Sequence, residues 1–375
     1  MKHLDIKLLA KNIESRVEND LKENNVSGVS LIVKQSGETV YKGHFGMTSP
    51  ENDIPVSDTT IFRLASMTKP IMGFAIMILA DRGLLSIDDN IDKYFPEFSK
   101  PYMLDENGDK KYVSEKITVK HLLTHTSGIG SGPVWVASLK NITKKDKSTV
   151  ADFVGFIAKQ PLSYIPGTHS EYSGVAAFSI LTAIAEKVAE TDIESFLKSE
   201  LFMPCGMCDT TFVPTEEQWS RVITKHNKKD GKSVIGNFHD GCVFESYPTT
   251  NPLGGAGLVS TLSDYTKFAD MLYNRGVANG KRIVSEKSFE LFSTPQIPES
   301  VKLGNQRWGL SVRVITDRNR LPVGSFGWSG AYGTHFWVDP ENEIVAVYMK
   351  NSNFDGGSGA ITASNFEKDV MSALI

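Results

Sequence analysis

The sequence is short of most features that would mark a special environment. Its 375 residues include three cysteines, an odd and small number that describes no disulfide framework. The longest apolar run, "IMGFAIMILA" (71–80), is about half of what a bilayer crossing needs. Neither charge dominates. With 40 basic residues against 44 acidic, no field draws in nucleic acid or an anionic membrane. The basic runs 140–147 and 225–232 read as solvated loops. Residues 1–28 lack an apolar block followed by small residues, so they do not read as a secretory signal, and a cytoplasmic protein is expected. Repeats and low-complexity tracts are also missing.

What is present is ordinary globular material, 40% hydrophobic and 22% charged, enough for two domains or one large domain with an insertion. Leu9, Ile13, Val17 and Leu21 recur every fourth residue and predict an amphipathic surface helix. Residues 29–34 and 39–45 flank "QSGE", and 331–338 and 343–349 flank "DPEN", which predicts a hairpin near each end. Mostly helical patterns lie between. The expected fold is therefore α/β, with one antiparallel sheet built from both chain ends and a large helical insertion.

Two motifs bear on chemistry. Cys205 and Cys208 form a CxxC, but this pair closes a helical stretch instead of opening one, and structural zinc would find only Cys242 and scattered histidines as further ligands. The second motif is "FRLASMTKPI" (62–71), with Ser66 and Lys69 three apart. The helix that follows is apolar on nearly every face, so it is predicted to be buried. Pro70 is tolerated only in a first turn, which sets the start close to Ser66, and Gly83 supplies the stop. Lys69 then lies one turn in from Ser66 on the same face. A poorly solvated ammonium loses its proton readily, and a serine hydroxyl needs such a base to become a nucleophile. SxxK alone is weak, and it recurs at Ser195–Lys198. There, Thr191 is the expected N-cap, Ile193, Phe196, Leu197 and Leu201 form the buried stripe, and Ser195 and Lys198 face solvent.

The flanks add specificity. "FRLASMTKPI" (62–71), "TVKHLLTHTSGI" (118–129), "PGTHSEYS" (166–173), "LFMPCGMCDTTF" (201–212), "GGAGLVSTLSDYTKFADML" (254–272) and "GWSGAYGTHFWVDP" (327–340) occur in the order and at about the spacing of the serine β-lactamase-like superfamily. Within it the chain most resembles the family VIII carboxylesterases, relatives of class C β-lactamases and penicillin-binding DD-peptidases. The resemblance runs from about residue 27 to 350. It implies a β-lactamase/transpeptidase-like fold, with residues 1–63 and 245–375 forming the α/β domain, 64–244 a mostly helical one, and the active site between them.

Residue by residue, the resemblance implies Ser66 as nucleophile, Lys69 as its base partner and Tyr172 as the active-site tyrosine. Ser173 would cap the next helix, whose apolar face is Ala177, Ile180, Leu181, Ile184 and Val188. Trp328, Ser329 and Gly330 stand where β-lactamases carry Lys, a small residue and glycine. The N–H of Ala331 would pair with that of Ser66 as oxyanion hole. Trp328 replaces a cation with an indole, and Gly174 stands where β-lactam-directed relatives have Asn. Both departures favour a neutral acyl ester over an anionic β-lactam or a peptide terminus. The implied function is ester hydrolysis through an acyl-enzyme on Ser66, with a small-molecule ester as substrate and no metal or cofactor. The alternatives are a β-lactamase, a D-amino-acid peptidase or amidase, an acyltransferase, or a non-catalytic penicillin-binding or sensor protein that kept the pocket.

Other segments read as structural. "GWSGA" (327–331) ends in alanine and precedes a strand, unlike a GxSxG elbow. His125 reads as a buried, hydrogen-bonded histidine. The glycines of "GGAGLV" (254–259) read as a loop approaching the site rim. Residues 131–149, with Trp135, read as a loop bordering the pocket.

Overall fold

The computed structural model describes residues 2–130, 149–236, 252–301, 303–357 and 359–375. Trp135, Cys242 and the basic run 140–147 lie outside the described residues.

Each chain end builds a hairpin and a helix. Helix α1 (Ile6–Lys22) starts at Asp5, whose carboxylate accepts from Lys7 N and Leu8 N, and buries Leu9, Ile13 and Val17. Strands β1 (Gly28–Gln35) and β2 (Glu38–Gly46) follow. Ser36 and Gly37 both take positive φ, 51° and 85°, which matches the turn to the twist of the hairpin. Strands β3 (Gln306–Trp308), β4 (Arg313–Ile315), β5 (Phe326–Ser329), β6 (His335–Asp339) and β7 (Ile344–Met349) complete an antiparallel sheet of order β3-β4-β5-β6-β7-β1-β2. The predicted strand 331–338 begins only at His335. Gly333, at φ 96°, turns the chain there and donates to Gly330 O at 2.9 Å. The basic run 225–232 also differs from the expected loop. It forms a small hairpin, His226–Lys229 against Lys232–Ile235, that leaves Lys228, Lys229 and Lys232 in solvent.

Alternation along the strands gives the sheet two buried faces. Val29, Leu31, Val33, Ala346, Tyr348 and Trp337 pack against α1 and the C-terminal helix (Ile361–Met371). Ile32, Phe326, Trp328, Phe336, Val345 and Val347 face the other way, into a core shared with the helices between the hairpins. Among these, α2 (Thr68–Asp81) buries every residue from Thr68 to Leu79. A Cβ on its Gly73 would fall 2.2 Å from Ser311 Oγ, so the loop after β3 lies directly on the helix. Gly83, at φ 69°, follows its end. Helix α3 (Ala176–Ala189) crosses α2, and α4 (Leu262–Tyr273) lies on the sheet. The helix Ile193–Leu197 is capped by Asp192, which accepts from Ser195 N at 2.9 Å, and not by Thr191. Asp192 is the residue with extended backbone directly before the first turn. Ser195 and Lys198 are exposed as expected. Among the described residues, no helix is long and apolar enough to cross a membrane.

A buried charge cluster joins β4, β6 and the C-terminal helix. Glu367, 2% exposed, pairs with Arg313, accepts from Arg320 Nε at 3.0 Å and lies 3.2 Å from His335 Nε2. Burial pushes its carboxyl up, but the hydrogen bond with His335 and the charge of Arg313 outweigh burial and hold it far below the ordinary range. Glu367→Gln leaves Arg313 buried without its countercharge and is expected to cost about 3–5 kcal/mol in urea unfolding at pH 7. Because the folded carboxyl is depressed, this deficit is full above the ordinary carboxyl pKa of about 4.3 and shrinks as pH falls below it. A constant deficit down to pH 3 would contradict the assignment.

Candidate active site

The nucleophile segment is bent and then held from several sides. Ile61–Arg63 pairs with Val259–Thr261, one tight turn covers Ala65–Met67, and α2 begins at Thr68. Ser66 therefore stands two residues before the α-helix, and Pro70 falls in its first turn. Ala65 takes φ 46°, a conformation that costs a non-glycine residue of order 1 kcal/mol and needs support. The support is local. Leu64 N donates to Leu258 O at 2.9 Å, Thr334 Oγ1 to Leu64 O at 2.8 Å, and Tyr265 Oη to Met67 O at 2.9 Å.

Lys69 is fully buried. Its Nζ lies 2.6 Å from Gly174 O, 2.6 Å from Gly255 O and 3.3 Å from Ser66 Oγ. Burial lowers its pKa to about 7. The three neighbours fit a neutral amine: two N–H groups satisfy the two carbonyls, and the lone pair is left for the serine hydroxyl. The glycines of 254–259 thus reach the site itself, beyond the rim expected for them. A Cβ on Gly255 would lie 3.4 Å from Lys69 Nζ, and one on Gly254 only 2.1 Å from Thr182 Oγ1.

Tyr172 arrives from the segment before α3. The helix begins at Ala176 after Val175, so Ser173 is not its N-cap. Its Oγ still accepts from Ala177 N at 3.0 Å, and its own N–H donates to His125 Nδ1 at 3.1 Å. His125 is buried, and burial followed by the Lys69 charge pushes its pKa well down. It stays neutral and anchors the residue next to Tyr172, a structural part. Lys69 Nζ lies over the Tyr172 ring, 5.0 Å from its centroid, and the phenol accepts from Trp328 Nε1 at 3.4 Å. Burial pushes its pKa up, against the pull of the nearby Ser66 hydroxyl and Trp328 N–H. With 38% of Tyr172 accessible, solvent tempers the rise, and its direction suffices: the phenol is protonated at neutral pH.

Aromatic rings frame the tyrosine. Trp308 lies nearly parallel to it, centroids 6.2 Å apart, and contacts Trp328 at 4.6 Å and His125 at 4.4 Å. Its Nε1 donates to Ser170 Oγ at 3.0 Å. Nothing in the flanks of Trp308 marked it, because its place depends on β3 lying at the edge of the sheet beside the loop before Tyr172.

Strand β5 packs on the Ala65–Met67 turn, and its alternation sorts the third motif. Trp328 faces the site and is 6% exposed. Ser329, expected at the site, points its side chain to the other face of the sheet, with Oγ 2.8 Å from His335 Nδ1. Only its backbone borders the cleft. At Gly330 a Cβ would fall 2.2 Å from Leu64 O and 2.1 Å from Thr334 Oγ1, so glycine is required for this approach. Ala331 is exposed, and its N–H has no partner among the described residues. Gly174 has open space around it: a Cβ there would meet only Tyr172 Cε1, at 4.0 Å. Cys205 and Cys208 are free thiols, one buried and one exposed. Ser66, Lys69 and Tyr172, separated by up to 106 positions in the chain, thus meet at one point, with Trp328 and Gly330 beside them.

Known proteins share this architecture. An uncharacterized protein of Mycobacterium tuberculosis is 29% identical over 349 residues, 86% of this chain and 85% of its own length. Esterase EstB of Burkholderia gladioli is 26% identical over 390 residues, 96% of this chain and 94% of its own. The solved structure of EstCE1, described as a hydrolase with promiscuous acyltransferase activity, superposes with a TM-score of 0.82 at 21% identity, covering 98% of each chain, a likeness of fold. The sequence model of the Beta-lactamase family matches residues 12–365, nearly the whole chain, and the protein belongs to that family.

Proposed function

We propose that the chain is a serine carboxylesterase acting on neutral esters of small or medium acyl groups through an acyl-enzyme on Ser66. One observation carries this reading: a buried lysine nitrogen 2.6 Å from two backbone carbonyls and 3.3 Å from Ser66 Oγ, which in its neutral form gives its two N–H groups to the carbonyls and turns its lone pair to Ser66. Lys69 accepts the Ser66 proton as Oγ attacks the ester carbonyl. The N–H groups of Ser66 and Ala331 receive the carbonyl oxygen as it becomes an oxyanion. The Tyr172 hydroxyl, beside Ser66 and Lys69, passes a proton to the departing alkoxide and recovers one from Lys69. Water then repeats the sequence on the acyl-enzyme and frees the acid.

The neutrality of the substrate is supported by what surrounds the tyrosine. Trp328, Trp308 and His125 offer rings and no cation, and Gly174 offers no amide. An esterase among the relatives points the same way. Acyl transfer to an alcohol is the second reading, supported by the description of EstCE1; it uses the same acyl-enzyme with alcohol in place of water.

Brief exposure to a fluorophosphonate should add one label by intact mass, absent in Ser66→Ala; an unchanged adduct in that variant would refute the nucleophile. With Lys69 lowered to about 7 and active when neutral, kcat/KM for p-nitrophenyl butyrate should rise through about pH 7 to a plateau. Lys69→Ala and Tyr172→Phe should each cut kcat by about 10²–10⁴, and near-normal turnover in either removes that residue from the reaction. In parallel assays p-nitrophenyl butyrate should be turned over far faster than nitrocefin or a D-alanyl amide; the reverse order would return the chain to the β-lactam-directed branch.

A further inference from the structure

The segment after β7 grips the two halves of the site from behind. Strand Ile61–Arg63 has one edge on Val259–Thr261. Its outer edge is paired at Ile61, which exchanges hydrogen bonds with Arg221 O at 3.0 Å and Ile223 N at 2.9 Å. At Arg63 that partner strand is replaced by a side chain. Asn351 Oδ1 accepts from Arg63 N at 2.9 Å, and Asn351 Nδ2 donates to Arg63 O at 3.0 Å. The second Nδ2 hydrogen goes to Lys350 O at 2.8 Å. The amide is 2% exposed and imitates one rung of a β-ladder.

The residues that follow hold the other half. Ser352 N donates to Tyr332 O at 3.0 Å, and Gly357 N to Gly330 O at 2.8 Å. Gly356 presses so closely that a Cβ there would fall 1.8 Å from Ala331 O. Thr334 Oγ1 bridges directly to Leu64 O at 2.8 Å. One stretch, 351–357, is thus bonded to the backbone leading into Ser66 and to the turn that carries Ala331.

We propose that Asn351 is a positioning residue that sets the separation between the Ser66 and Ala331 N–H groups. The inference rests on the esterase reading above. Donors to an oxyanion must stand about 2.7–3.1 Å from where the charge develops, and Ser66 follows Ala65, whose left-handed backbone relaxes once its neighbours release it. Asn351 touches neither substrate nor reacting atoms. It acts through Arg63 and the 330–332 turn.

Asn351→Leu keeps the volume and removes the grip. The expected result is a fall in kcat for p-nitrophenyl butyrate of about 10- to 100-fold, with KM changed less than about threefold. Affinity for an alkylboronic acid, whose Ser66 adduct places an oxygen between the two N–H groups, should fall by the same factor. The pH limb near 7 should stay in place, because the Lys69 surroundings are untouched. Normal kcat and boronate affinity in the folded variant, or a loss confined to KM, would overturn the proposal. Should Asn351→Leu fail to fold, Asn351→Asp, which keeps an oxygen for Arg63 N and removes the donor to Arg63 O, carries the same measurements. Hydrogen exchange separates this inference from the reaction it serves. Even if wild-type protein turned over no ester, Asn351→Leu should speed exchange of amides 64–67 and 330–333 together. Loosening confined to 63–64 would reject the clamp.

Discussion

Everything at the candidate site depends on keeping water away from Lys69 while giving its nitrogen three defined neighbours. Lys69 sits in a helix buried from Thr68 to Leu79, so its ammonium is poorly solvated and its proton is held weakly. Two carbonyls stand at 2.6 Å and Ser66 Oγ farther off at 3.3 Å. A neutral amine satisfies both carbonyls with its two N–H groups, and its lone pair is left for the serine hydroxyl. That balance needs backbone within reach, and Gly254 and Gly255 allow it: a Cβ on Gly254 would fall 2.1 Å from Thr182 Oγ1 on α3, and one on Gly255 would crowd Gly174 O at 3.0 Å.

The aromatic rings do a second job with the same economy. In the proposed reaction Tyr172 must be a donor whose hydroxyl is held in place, and Trp328 supplies both ring contact and an N–H 3.4 Å from the phenol oxygen. Its indole thus faces the tyrosine with both a ring and a donor. The near-full burial of Trp328 follows from its packing on Trp308, and it makes the residue a wall of the site more than a contact for substrate.

Period-2 alternation decides which members of a motif reach the cleft. Trp328 and Gly330 fall on the helix-facing side of β5. Ser329 falls on the side of α1 and the C-terminal helix, where it joins His335 and the Glu367 cluster. The sheet therefore separates two polar systems, one beside Ser66 and one that stabilises the far face, through a single strand.

The sequence alone determined the local and periodic parts: two terminal hairpins, a buried helix with Pro70 in its first turn, an exposed second SxxK, and a Ser66–Lys69 pair on one face. These follow from bonds and spacings within a few residues, where propensity and period speak directly. The family resemblance supplied Tyr172 and the 328–331 block, which no spacing in the chain could connect to Ser66. Tertiary structure decided the rest. Ser173 ceded the cap to backbone geometry at Val175, strand 331–338 shortened because Gly333 turns it, the loop with Gly255 reached past the expected rim to Lys69, and Trp308 and Asn351 took their places around the site without any signature. Each of those contributes through a contact with a residue far away in the chain, by a backbone carbonyl, a ring face or a side-chain amide that many residues carry. Such contacts leave no periodic trace, because only the closing of the sheet by both chain ends brings their partners within a few ångströms.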